Sequence, residues 1–140
     1  MPLEENKALV RRAIEEIYSK RNAEAVQDIY ASDYVLHGPF TDPGLRGLEG
    51  VQRYVNASRE AFQEVDISIE DQIVEGDKVV TCWKARIITR TGVTGVHLTD
   101  YPVTGTGILI DRISDGKIRE SWSEEHLSGI QGLAELIIAN

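Results

Sequence analysis

The sequence predicts one α+β domain over residues 1–140, with N-terminal helices packed against a curved, mostly antiparallel sheet. Three observations lead there. Apolar residues recur at helical spacing through the first 63 positions. From Val65 the period changes to two, as in strands with one covered face. Gly76-Asp77 and Asp115-Gly116 then supply tight turns between successive strands. Helices first and a meander afterwards make an α+β layering, with a cavity expected between the two layers.

Leu9, Val10, Ala13, Ile14, Ile17 and Tyr18 form the inner face of a first helix. Asn22 is placed to cap a second, shorter one carrying Ala25, Val26, Ile29 and Tyr30. Tyr34 to His37 reads as a short strand stopped by Gly38-Pro39, and Phe40 to Gly47 as a loop. A third helix is expected over about 48–63, with Val51, Tyr54, Val55, Ser58 and Phe62 inward. Val65, Ile67, Ile69 and Ile73 alternate with polar residues, and Lys78 to Thr89 turns Val79, Thr81, Trp83, Ala85 and Ile87 to one side. Further strands are expected near 92–98, over 101–114 and from Lys117 onward. The tail, with Leu127, Ile130, Leu133, Leu136 and Ile137, is helical or lies extended across the core.

Composition removes several function classes. With 15 basic against 23 acidic residues the net charge is −8, so neither nucleic acid nor an anionic membrane is an expected partner. No apolar run approaches the ~20 residues of a membrane span. The N-terminus lacks a secretory pattern and Cys82 stands alone, so a reducing cytoplasm is the simplest compartment. His37, His97 and His126 show no paired ligand spacing, so no metal is expected. No glycine-rich phosphate motif or Gly-x-Ser-x-Gly elbow is present.

The final strand draws the chemistry together. Strict alternation puts Ile118, Glu120, Trp122, Glu124 and His126 on one face, as a pocket wall with a dry floor and a polar rim. His126 beside Glu124 reads as a proton-transfer pair or as a solvated strand end. Glu120 reads as a cavity carboxylate or as a cross-strand partner of Arg112 or Lys84. His37 is a second histidine candidate against a backbone-bonded strand end. Trp83 and Trp122, with Tyr18, Tyr34, Tyr54 and Phe62, are core residues that double as walls for a planar ligand. Asp111 is expected in a surface ion pair near Arg112, His97 on an exposed loop, and Cys82 as a structural or interfacial thiol.

The order of short motifs carries a resemblance over residues 6–136. These are Asp33-Tyr34-Val35-Leu36-His37-Gly38-Pro39, Gly47-Leu48-Glu49-Gly50-Val51, the run from Asp71 to Arg86, and the run from Ile110 to Trp122. Together they resemble the SnoaL-like polyketide cyclases (ester cyclases) of the nuclear-transport-factor-2-like superfamily. The resemblance implies a cone-shaped α+β barrel, a hydrophobic small-molecule substrate, no cofactor and a homodimer through the outer sheet face. It implies a cyclase or isomerase working by aldol or enolisation chemistry on a polyketide- or terpenoid-like carbonyl compound. The alternatives are a non-catalytic binder of the same fold and, last, an epoxide hydrolase.

Two departures shift the expected acid and base. Family members often carry an acid where this chain has Leu109, and an Asp four residues past the final-strand Trp, where it has His126. The proton carriers expected here are therefore His126 and His37, then Glu124 and Glu120, with Leu109 an apolar wall.

Overall fold

The computed structural model describes residues 2–38, 41–90 and 103–128, with backbone alone at 41–44 and 128. Helix α1 (Pro2–Ala13) starts with a proline, whose missing N–H costs nothing there. Glu4 and Glu5 open it and Arg11 and Arg12 close it, in the sense that suits the helix dipole. A π-helical turn (Ile14–Ser19) extends it and keeps Ile14 and Ile17 buried. Arg21 then takes a left-handed φ of 54°, and Asn22 caps the next turn by accepting from Glu24 N at 3.2 Å. That turn (Ala23–Ala25) leads into α2 (Val26–Ile29).

The strands are β1 (Tyr30–Gly38), β2 (Thr41–Arg46), β3 (Phe62–Glu75), β4 (Lys78–Thr89), β5 (Val103–Ser114) and β6 (Lys117–Ser128). Helix α3 (Gly47–Ala61) lies between β2 and β3. Among the described residues the sheet order is β2-β1-β6-β5-β4-β3, and only β1 and β6 run parallel. Among the described residues the sheet is open, with β2 and β3 at its edges, and the helices fill its concave side.

Two expected boundaries move. Tyr30 opens β1 instead of closing the second helix, and the stretch read as a loop after Phe40 contains β2. Leu36 pairs with Leu45 and Val35 with Arg46. An edge position tolerates Pro43, which has no N–H for a second neighbour. The expected strand near 92–98, His97, and the tail beyond Ser128 lie outside the described residues.

Two irregularities in register matter more. In β3 the pairing shifts between Ile69 and Asp71, so Gln72 and Val74 follow Ile69 inward and Ile73 is 58% exposed. In β6, Ile113 pairs with Ile118 but Arg112 pairs with Glu120, leaving Arg119 as the extra residue of a bulge. A bulge reverses the parity of everything after it.

The core has two parts. Val10, Ile17, Val26, Ile29, Val55, Val79 and Ile118 pack where the helices meet the sheet centre. Ala61, Phe62, Ala85, Ile87 and Val103 pack at the wider end. Tyr54 and Ile67 touch both parts. Among the described residues no helix is long and apolar enough to cross a membrane.

Candidate active site

Between the two parts of the core lies a cavity of about 100 Å³. The helical layer contributes Ile14, Tyr18, Tyr54, Ser58 and the β3 entry Phe62. The sheet contributes Val65, Ile67, Trp83, Ala85, Ile87, Leu109, Ser123, Glu125 and Leu127. Trp83 forms its floor because β5 has no side chain beneath the indole. A Cβ at Gly107 would stand 2.3 Å from Trp83 Cζ2, and one at Gly105 would stand 2.6 Å from Leu127 Cδ2. The Gly105-Thr106-Gly107 stretch is thus a seat for two apolar side chains.

Among the described residues one carboxylate, Glu125, lines this cavity. Burial pushes its pKa up, and neighbouring Glu124 adds to the rise. Tyr54 stands within its electrostatic reach: burial raises the phenol strongly, and the Glu125 charge raises it further. Tyr18 meets Tyr54 edge-on, with ring centroids 5.7 Å apart. Ser58 and Ser123 add hydroxyls to the same wall. The arrangement sets one base with a strengthened hold on protons among several O–H donors, in apolar surroundings.

Below the cavity lies a second buried group. Asp111 is 2% exposed and accepts a hydrogen bond from the Ser121 hydroxyl, while its Oδ2 has no partner among the described residues. Burial raises its pKa to about 7, against the opposing pull of Ser121. Its charge would face the buried phenols of Tyr18, Tyr30 and Tyr34. Tyr30 and Tyr34 pack with centroids 4.6 Å apart. The surface ion pair expected for Asp111 is therefore corrected: it shares the inward parity of Val103, Gly105, Leu109 and Ile113.

The sequence-predicted residues divide between the two sides of the sheet. Trp83, Tyr18, Tyr54, Phe62 and Leu109 line the cavity, and Tyr34 lines a void of about 10 Å³ deeper between helices and sheet. Glu120, Trp122, Glu124 and His126 do not share a face with Ile118. The Arg119 bulge turns them to the outer side, and Ser121, Ser123, Glu125 and Leu127 take the inward places. There Glu120 accepts from His37 Nε2 at 2.8 Å and from Arg112 at 3.2 and 3.3 Å. The hydrogen bond from His37, with help from Arg112, holds the Glu120 carboxyl below its usual range. His37 stacks on Trp122 at 5.5 Å, and both line an outer depression with Ile108, Ile110 and Glu124. His126 lines a separate outer groove with Lys84, Arg86 and Thr106.

Glu125 and Ser123 escaped the sequence reading because alternation was carried straight through the bulge. The available signal was Leu127. It is the one apolar residue at that end of β6, and its parity is that of Glu125, not of His126. Among the described residues no group of three or more His, Cys, Asp or Glu side chains gathers as a metal site would require.

Comparison with known proteins bears on this geometry. The family model of the SnoaL-like polyketide cyclases matches residues 8–131. The chain belongs to that family. No curated protein matches it. Among solved structures, a candidate polyketide cyclase from Acidithiobacillus ferrooxidans superposes with a TM-score of 0.76 at 21% identity, covering 96% of this chain and 94% of the other. IdmH, a candidate polyketide cyclase from Streptomyces antibioticus, gives 0.73 at 23% identity over 94% and 97%. AclR, a candidate hydroxylase from Streptomyces galilaeus, gives 0.73 at 17% identity over 99% and 83%. These neighbours share the SnoaL fold, while their described activities differ, as expected where function is set by the site.

Proposed function

We propose that this protein is a cofactor-independent cyclase or isomerase that enolises a hydrophobic carbonyl compound in the cavity, with Glu125 as the base. Membership of the cyclase family supports the reaction class in general. The observation that carries the residue assignment is the position of Glu125. It is a half-buried carboxylate of raised pKa on the cavity wall, within reach of Tyr54.

Ionised Glu125 removes a proton from the carbon next to the substrate carbonyl. The C–H electron pair moves into the enolate, whose oxygen accepts from a Tyr54, Tyr18 or Ser58 hydroxyl. In a cyclisation the enolate carbon then bonds to a second carbonyl carbon of the same molecule. The resulting alkoxide recovers the proton from Glu125, so the product is an isomer of the substrate. Trp83 beneath and Phe62 beside the substrate hold the two carbons in near-attack geometry.

The test uses α-tetralone, a flat aryl ketone whose C2 protons exchange with D₂O when it enolises. Wild-type protein is expected to accelerate that exchange, read by proton NMR. Glu125→Gln is expected to lower the acceleration by about 10²-fold or more, the usual scale of general-base catalysis. Equal rates in wild type and variant would remove Glu125 from the mechanism. Tetralone that binds without any accelerated exchange would favour the second reading, a non-catalytic binder, for which the apolar Leu109 in the wall speaks.

The outer face is assigned to a second copy of the chain. Ile73, Val80, Ile110 and Trp122 are successive cross-strand partners there, beside Ile108. Ile73 and Ile108 are 58% and 49% exposed, an apolar band that a two-fold partner would cover.

A further inference from the structure

Three arginines gather where α3 ends and β3 begins, beside the cavity. Arg21 donates from Nη1 to the carbonyls of Ser58 (3.1 Å) and Phe62 (2.7 Å), and from Nη2 to Gln63 (3.2 Å). Arg90 donates its backbone N–H to Ala61 O at 3.0 Å and its Nε to Arg59 O at 3.0 Å. Arg59 itself occupies the last turn of α3. The three are close enough that Arg90 and Arg59 add to the burial that lowers the Arg21 pKa.

Capping the exposed carbonyls at the end of α3 explains Arg21, whose terminal nitrogens are engaged by three of them. Among the described residues it leaves the terminal nitrogens of Arg90 and the Arg59 guanidinium with no acceptor. None of the three arginines forms an ion pair among the described residues, although the chain carries a net charge of −8. Among the described residues, Glu60 and Glu64, which follow Arg59 in sequence, form no ion pair with them. Three like charges held together without a counter-charge repel one another. In a protein this acidic, such a cluster is a place where an anion completes the structure.

Its location ties the cluster to the cavity. Ser58 and Phe62, whose carbonyls Arg21 holds, both line the cavity, and Arg21 acts electrostatically on Tyr54 inside it. At about 100 Å³ the cavity is also small beside the ~300–1,000 Å³ of typical ligand sites. It takes a ring-sized part of a ligand, and the remainder of a larger one extends outside it.

We infer that Arg59 and Arg90, backed by the fixed charge of Arg21, form a rim site for the anionic group of an amphipathic ligand whose flat apolar part enters the cavity. The ligand class is an organic anion carrying a carboxylate, sulfonate or phosphate a few bonds from an aromatic or enone body. This rests on the cavity being a ligand site and is independent of whether Glu125 performs chemistry there.

Two fluorescent probes of nearly the same shape test it. 8-Anilinonaphthalene-1-sulfonate carries the anion, and N-phenyl-1-naphthylamine lacks it. The quantity read is binding displaced by α-tetralone, which confines the result to the cavity. The double variant Arg59→Gln/Arg90→Gln is expected to weaken the sulfonate probe by roughly tenfold or more, the scale of lost charge-assisted hydrogen bonds. The neutral probe is expected to change less than twofold, and Arg59→Lys/Arg90→Lys to retain most of the sulfonate affinity. Added salt is expected to weaken only the sulfonate probe. Sulfonate affinity unchanged in the double Gln variant, or both probes weakened alike, would overturn the assignment. Neutral-probe binding without tetralone exchange would defeat the enolisation proposal and leave the rim site standing.

Discussion

The two faces of one sheet carry similar side chains in opposite circumstances. On the concave face Glu125 is half-buried on the cavity wall, lies near Tyr54 and has a raised pKa. On the convex face Glu120, two places after the bulge begins, is bonded to His37 and Arg112 and has a lowered pKa. The first is poised to take a proton; the second is held as a counter-ion. The two stand at places of opposite parity in one strand, and the extra residue Arg119 decides which of them faces in. A carboxylate's chemistry here is decided by register, since register selects the solvent it sees.

The deepest inward group should show the contrast most strongly. Asp111 has a pKa raised from 3.8 to about 7 by burial, so the folded state holds a proton that the unfolded chain releases above pH 4. The stabilising contribution is complete below about pH 3.8 and is lost as pH rises through 7. Over that window its loss amounts to up to about 4 kcal/mol. Glu125 acts in the same direction, and Glu16 and Glu120, whose pKa values are lowered, oppose it. Urea unfolding at pH 5 and pH 8 is expected to show the fall in wild type and a much flatter profile in Asp111→Asn. Parallel profiles would mean that Asp111 is ionised in the folded protein.

A smaller effect is expected at the cavity floor. Gly107→Ala puts a methyl group into the Trp83 indole, and overpacking of this kind costs roughly 1–3 kcal/mol. Denaturant midpoints and Trp fluorescence should move together; an unchanged midpoint would mean that the indole does not rest on Gly107. The smallest stability effect is expected outside. Ile108→Asp, at a 49% exposed site, should alter monomer stability by no more than about 0.5 kcal/mol. In light scattering the same change should shift the protein from dimer to monomer. A variant that stays dimeric would move the pairing surface elsewhere.

The same contrast explains what could be read from the chain. The helical faces of α1 and α3 and the inward row of β4 follow uninterrupted periods, so Val10, Ile17, Val55 and Val79 were legible as core. Five of the cavity residues, Tyr18, Tyr54, Phe62, Trp83 and Leu109, belong to such stretches or to their ends. Glu125 and Ser123 do not, because a bulge leaves no signature in composition and inverts every assignment beyond it. Asp111 was misjudged for another reason. Its neighbour Arg112 suggested an ion pair, but adjacent strand residues face opposite sides, and Arg112 bonds Glu120 on the outer face instead.

The most direct test of the account is the pH profile of α-tetralone exchange in wild type, Glu125→Gln and His126→Gln. The prediction is a single inflection above the ordinary glutamate range, abolished by Glu125→Gln and unmoved by His126→Gln. An inflection that disappears with His126 and survives the loss of Glu125 would contradict it, and would place the chemistry on the outer face of the sheet.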